Sequence, residues 1–171
     1  MRIRRLRWGW MAAAMACGIA PWTLVFAETA SPGAATVLGA NPQLSEGAQA
    51  MLSGDWQRGI ELTVLGLSAA VSPADRAAAL ANLCAAHAAL KQYDKALVFC
   101  DQSLAIDEDN WEAWQNRAAC HLGLNKIEES LRDLQRGLAL NPDSDALQKT
   151  LTIARDREKL QQERLRHLVE S

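Results

Sequence analysis

Two consecutive 34-residue stretches of this chain can be laid over one another without a gap. Ala77–Asn110 opens AAALANLCAAHAALKQYDKAL, and Trp111–Ser144 opens WEAWQNRAACHLGLNKIEESL. Nine of the 34 positions are identical: Ala79/Ala113, Asn82/Asn116, Ala85/Ala119, His87/His121, Leu90/Leu124, Leu97/Leu131, Leu104/Leu138, Ala105/Ala139 and Asp109/Asp143. A fixed period of this length marks a solenoid, in which one supersecondary unit stacks on copies of itself because a single unit cannot bury its own apolar face. Such an array offers a surface to a partner and seldom carries out chemistry, so the period constrains function as well as fold.

Each unit reads as two helices. Leu80, Leu83, Cys84, His87 and Leu90 recur at spacings of three and four, which puts them on one helix face. Lys91-Gln92-Tyr93-Asp94 reads as a turn, and a second helix carries Ala96, Leu97, Cys100, Leu104 and Ile106 on its apolar side. The following unit repeats this with Trp114, Ala118, His121 and Leu124, a turn at Asn125-Lys126, then Ser130, Leu131, Leu134, Leu138 and Leu140. Ser72-Pro73 supplies an N-cap and a first-turn proline, and Asn141-Pro142 ends the last of these helices. Small residues belong where two antiparallel helices cross, so Cys84 or Ala118 is expected to face Ala96 or Ser130. Ala and Leu dominate, Tyr and Phe are scarce, and no alternating hairpin pattern is present. The expected class is all-α.

The pattern resembles the tetratricopeptide repeat, whose signature is W-x2-L-G-x2-Y, then A-x3-F, then P. Trp114-x2-Arg117-Ala118-x2-His121, Ser130-x3-Leu134 and Pro142 follow it in one unit. Leu80-x2-Leu83-Cys84-x2-His87 and Ala96-x3-Cys100 follow it in the other, with Glu108 in place of the proline. An earlier unit shows in Gly54-Asp55-Trp56 and Gly59-Ile60, although Gln43 and Glu46 stand where large apolar residues belong. The resemblance implies a right-handed α-solenoid of three helix-turn-helix units, about 43–73, 77–110 and 111–144, spanning residues 43–144. A helix over residues 145–171 follows. Leu147, Leu151 and Ala154 fit its first half for a cap, and its second half is charge-rich.

The N-terminus is of another kind. Arg2, Arg4, Arg5 and Arg7 precede an uncharged run, Trp8 to Ala27, which ends in Val25-Phe26-Ala27. This reads as a signal peptide, residues 1–27, cut between Ala27 and Glu28. The expected location is therefore periplasmic or secreted, in a bacterial envelope. The rival is an uncleaved inner-membrane anchor over residues 8–27, since some 20 apolar residues span a bilayer. Residues 28–42, rich in Pro, Gly, Ser and Thr, read as a flexible linker. The chain has 18 basic and 20 acidic residues, and four of the basic ones lie in the segment 1–27, so the remainder carries a net charge of −6. Nucleic acid is a poor partner for such a chain.

Three cysteines lie beyond the signal. Antiparallel packing of Cys84 near Ala96 puts Cys100 about one turn away, at the edge of bridging distance, so Cys84–Cys100 is the disulfide candidate, with Cys120 buried and free. An alternative reading makes Cys84, Cys100 and Cys120, with His87 and His121, a redox- or metal-responsive centre. The repeat explains both histidines without a metal, because they occupy one repeat position twice. No nucleophile–base–orienter set and no phosphate-binding loop is evident, so no catalytic residue, metal or cofactor is expected. Arg117, on an inward face, calls for a carboxylate, which Asp101 or Asp133 can supply.

By the same resemblance, the first helices of successive units line a groove for a peptide or a partner helix. Its residues would be Ala78, Ala81, Asn82, Ala85 and Ala88, then Glu112, Gln115, Asn116, Ala119 and Leu122, extended by Met51 and Leu52. The two asparagines suit the backbone of an extended peptide. Equally, they suit the packing of one repeat on the next. The groove lacks the Lys/Arg cluster by which some family members grip a C-terminal carboxylate. The sequence thus points to a non-catalytic interaction module or scaffold with a protein or peptide partner.

Overall fold

The computed structural model describes residues 41–69 and 71–170. The signal segment and most of the linker lie outside these residues. Among those described there are seven helices and no strand: α1 Pro42–Leu52, α2 Trp56–Leu67, α3 Pro73–Ala89, α4 Tyr93–Ile106, α5 Trp111–Gly123, α6 Ile127–Leu140 and α7 Asp145–Glu170. They pair as α1/α2, α3/α4 and α5/α6, and α7 packs on α5 and α6. This is the all-α helical repeat that the 34-residue period predicts.

Local chemistry sets the helix ends. Asn41, Asp55, Ser72 and Asn110 each accept a hydrogen bond from a backbone N–H three residues on, at 3.0–3.2 Å, as N-caps do. Asn41 Nδ2 also donates to Gly66 O (3.1 Å), which ties the start of α1 to the end of α2. The other ends of α1, α3 and α5 share one motif. Gly54, Lys91 and Asn125 have φ of +85°, +58° and +58°. The next residue in each case donates back across the turn: Asp55 N to Ala50 O (2.9 Å), Gln92 N to His87 O (2.8 Å), Lys126 N to His121 O (2.8 Å). These are Schellman caps, which satisfy carbonyls that the helix leaves open.

The core runs through the units rather than at one centre. Leu44, Gly47, Ala48 and Met51 form the buried face of α1, so the register that leaves Gln43 half-buried and Glu46 exposed is still a packed one. At Gly47 a Cβ would stand 3.0 Å from Thr63 N and 3.1 Å from Gly59 O, so glycine is what lets α1 and α2 approach. Cys84, Ala96, Cys100 and Cys120 are fully buried together. Ala118 and Leu134 pack with Leu147 and Ala154 of α7, so α7 covers the last repeat. Ile106 departs from the sequence reading: it is 40% exposed, because Ser103 rather than Ile106 continues the inner face of α4. Ser103 Oγ donates to Ala77 O (2.8 Å) and binds α4 to α3.

Candidate interaction surface

The ten residues assigned to the groove divide into two groups. Ala78, Ala88, Glu112 and Ala119 are partly exposed, whereas Ala81, Asn82, Ala85, Gln115, Asn116 and Leu122 are buried. Ala81 packs with Leu104, Ala113 and Trp114, at the seam between the second and third units. Asn116 Nδ2 donates to Ala81 O (3.2 Å) across that seam. The repeated asparagine therefore serves the packing between repeats at this position. Met51 does not extend the groove: it is 1% exposed and packs with Leu83 and Ala86, while Leu52 is 50% exposed.

A cavity of about 270 Å³ opens between the C-terminal ends of α3 and α5, the starts of α2 and α4 and the middle of α7. Ala88, Ala119 and Leu122 from the predicted groove line it. Trp56, Tyr93 and Ile153 add apolar surface, and Lys91 and Arg157 add charge. Gly123 is needed here, because a Cβ at this position would enter the Tyr93 ring. Arg157 Nη1 donates to Leu122 O (2.8 Å), a carbonyl in the last turn of α5, where a cation also meets the negative end of the helix dipole. Sequence reasoning passed over both cations: Lys91 sits in a turn, and Arg157 in a run of charges that reads as solvated.

Arg117 pairs with both of its candidate carboxylates. Its Nε and Nη2 reach the two oxygens of Asp133 at 2.9 and 2.8 Å, and Nη1 reaches Asp101 at 2.8 Å. The guanidinium also lies 4.6 Å from the Trp114 ring centre. Burial acts against the charge, but the hydrogen bonds to Asp133 and Asp101 outweigh it and hold the Arg117 pKa above its ordinary value. His121 Nε2 stands 3.6 Å from Asp133, too far for a hydrogen bond, so burial wins there and lowers the His121 pKa.

Cys84 and Cys100 lie at disulfide distance, with Cα atoms 5.3 Å apart, and Cys120 is buried and free beside them. Burial, reinforced by the Asp133 carboxylate, pushes the Cys120 thiol up to about 12, which leaves almost no thiolate near neutrality. His87 stacks on Phe99 at 5.2 Å between ring centres, and its Nδ1 lies 2.8 Å from Gln92 Oε1. Among the described residues no three of His, Cys, Asp and Glu are placed to hold a metal ion.

Helix pairs stacked through small-residue seams, with a cleft lined from five helices, define an interaction module of the helical-repeat type. Residues 87–152 are tetratricopeptide repeat by their match to the family model of that description. The chain is 32% identical over 113 residues to mouse sperm-associated antigen 1, a match that covers 66% of this chain and 12% of the mouse protein. The first tetratricopeptide domain of human RPAP3 has the same fold, with a TM-score of 0.64 at 21% identity over 71% of this chain and 93% of that domain. The second domain of human RPAP3, solved with the HSP70 peptide SGPTIEEVD, gives 0.58 at 24% identity over 66% and 92%.

Proposed function

We propose that this chain is an exported adaptor which binds a peptide or a helix of a protein partner along the face shared by α3 and α5, and which works by binding rather than catalysis. The observation that carries the reading is the cleft at the ends of α3 and α5, in a fold whose human neighbour was solved around a peptide. Ala78 and Glu112, still partly exposed on this face, sit at matching places in successive repeats. Export is supported by the basic, apolar and small-residue order of residues 1–27 and by the Cys84–Cys100 pair, which suits an oxidising compartment.

The test is affinity capture from the native envelope with the wild-type chain and with Ala78→Arg and Glu112→Lys. Both variants are expected to lose the captured partner while keeping the wild-type melting temperature. Undiminished capture by both would remove the α3/α5 face from the account. Sequencing the N-terminus of the native protein checks export: it is expected to begin at Glu28, and a start at Met1 supports the anchored alternative.

A further inference from the structure

The two repeated histidines occupy one repeat position in different surroundings. His87 Nδ1 lies 2.8 Å from Gln92 Oε1, and its ring stacks on Phe99. One period on, Gln92 is replaced by Lys126 and Phe99 by Asp133. A lysine offers no acceptor, and His121 Nδ1 is buried without a hydrogen-bond partner. The other ring nitrogen, Nε2, faces Asp133 Oδ2 at 3.6 Å. That same carboxylate, 8% exposed, already accepts from Arg117 Nε at 2.9 Å and Nη2 at 2.8 Å. Arg117 reaches Asp101 as well, so it ties α4 of the second unit to α6 of the third while lying over the Trp114 ring.

Charged groups approach His121 from several elements. Asp133 and Glu129 come from α6, Lys126 from the turn, and Arg117 from α5 itself. On α4, Asp101 acts at the far end of the Arg117 guanidinium. From α7, Arg157 is bonded to Leu122 O, next in sequence. Burial, with Arg117 and Lys126, weighs against an imidazolium at His121, and Asp133 and Glu129 favour it.

We propose that His121 is an acid-triggered release on the Arg117 bridge between the second and third repeats. A proton on His121 gives Nε2 and Nδ1 each an N–H. Nε2–H then takes Asp133, and Arg117 is left with Asp101 alone, so the tie from α4 to α6 is cut. Nδ1–H has no acceptor where it stands, which drives the α5/α6 hairpin to loosen until water reaches it. His87 has nothing to switch, because its partner is a neutral amide and its ring packs on Phe99. The release is independent of the peptide-binding reading above.

The experiment is an NMR titration of the full chain from about pH 7.5 to about pH 5, which stays above the ordinary carboxylate range near 4. It follows the His121 imidazole, the Arg117 Nε–H and the Trp114 indole N–H, assigned with His121→Phe, Arg117→Lys and Trp114→Phe. All three signals are expected to move together, with one midpoint below the ordinary 6.5 of histidine. In His121→Phe, which keeps an aromatic ring at this position, the Arg117 and Trp114 shifts are expected to vanish. In His87→Gln they are expected to match the wild type. Lys126→Gln, which copies Gln92 and removes a cation, is expected to move the midpoint upward. Far-ultraviolet circular dichroism is expected to stay constant over the same range.

Arg117 and Trp114 signals that stay flat, or that titrate equally in His121→Phe, would overturn the proposal. So would loss of circular dichroism in step with them, since the whole domain would then be unfolding.

Discussion

Lys91 and Asn125 stand one period apart and share a left-handed backbone that side chains with a Cβ adopt only at a cost. The equivalent turn of the first unit has Gly54. Lys91→Gly is therefore expected to stabilise the fold by about 0.5–1 kcal/mol, read as a higher denaturant midpoint, even though it removes a cation from the cleft. The Arg117 network predicts the opposite sign. Asp133→Ala leaves a half-buried guanidinium with only the exposed Asp101, and a loss of about 2 kcal/mol is expected, discounted from the fully buried case because Arg117 keeps 21% of its side-chain surface. His121 makes stability depend on pH. Its folded pKa is lowered by burial, whereas the unfolded chain binds a proton near pH 6.5, so its contribution is present above about 6.5 and is lost as pH falls toward the folded value. Between pH 7 and pH 5 the wild type is expected to lose more stability than His121→Phe. At this scale the sequence was legible wherever residues obey the period. His87, His121 and the carboxylates of Arg117 could all be named in advance. Lys91 and Arg157 could not, because their role depends on where a turn and a cap meet in space.

Among the elements, the α3/α4 hairpin carries the staple. Its helices cross at Cys84 and Ala96, with Cys100 one turn along, and antiparallel packing was enough to suggest the pair from spacing alone. Denatured, unreduced protein is expected to show one reactive thiol, Cys120, besides Cys17 if residues 1–27 are retained. Closing a 17-residue segment is worth roughly 3 kcal/mol on the chain-entropy account, so Cys84→Ala/Cys100→Ala is expected to fall by up to that amount relative to the oxidised wild type. Reduction should make no difference to the double variant. The α1/α2 hairpin solves the same crossing problem without a bond. Gly47 and Gly59 bring its backbones together, and Met51 then reaches inward toward Leu83. Matching α1 to the family's aromatic and leucine positions made it look deficient. That template did not show how glycines at the crossing replace large side chains around it.

Across the whole molecule each unit rests on its neighbours, so stability propagates through the seams and the last face must be covered. Leu147, Thr150 and Ala154 put the first half of α7 into the α5/α6 core, while Leu160, Leu165 and Leu168 are 62%, 55% and 67% exposed. The boundary between cap and projection thus falls near Arg157, the last residue of α7 seen hydrogen-bonding back to α5. A chain ending after Lys159 is expected to keep the wild-type melting temperature within about 3 °C, since it gives up little buried surface. A chain ending after Ser144 uncovers Ala118, Leu122 and Leu134 and loses Leu147 altogether. At about 1.5–3 kcal/mol for each large apolar side chain, that takes several kcal/mol from a domain whose total is on the order of 5–15. Thermal unfolding followed by circular dichroism separates the two. The shorter chain is expected to melt early and to bind the dye ANS, whereas equal melting of both would mean that α7 rides on the solenoid without sealing it.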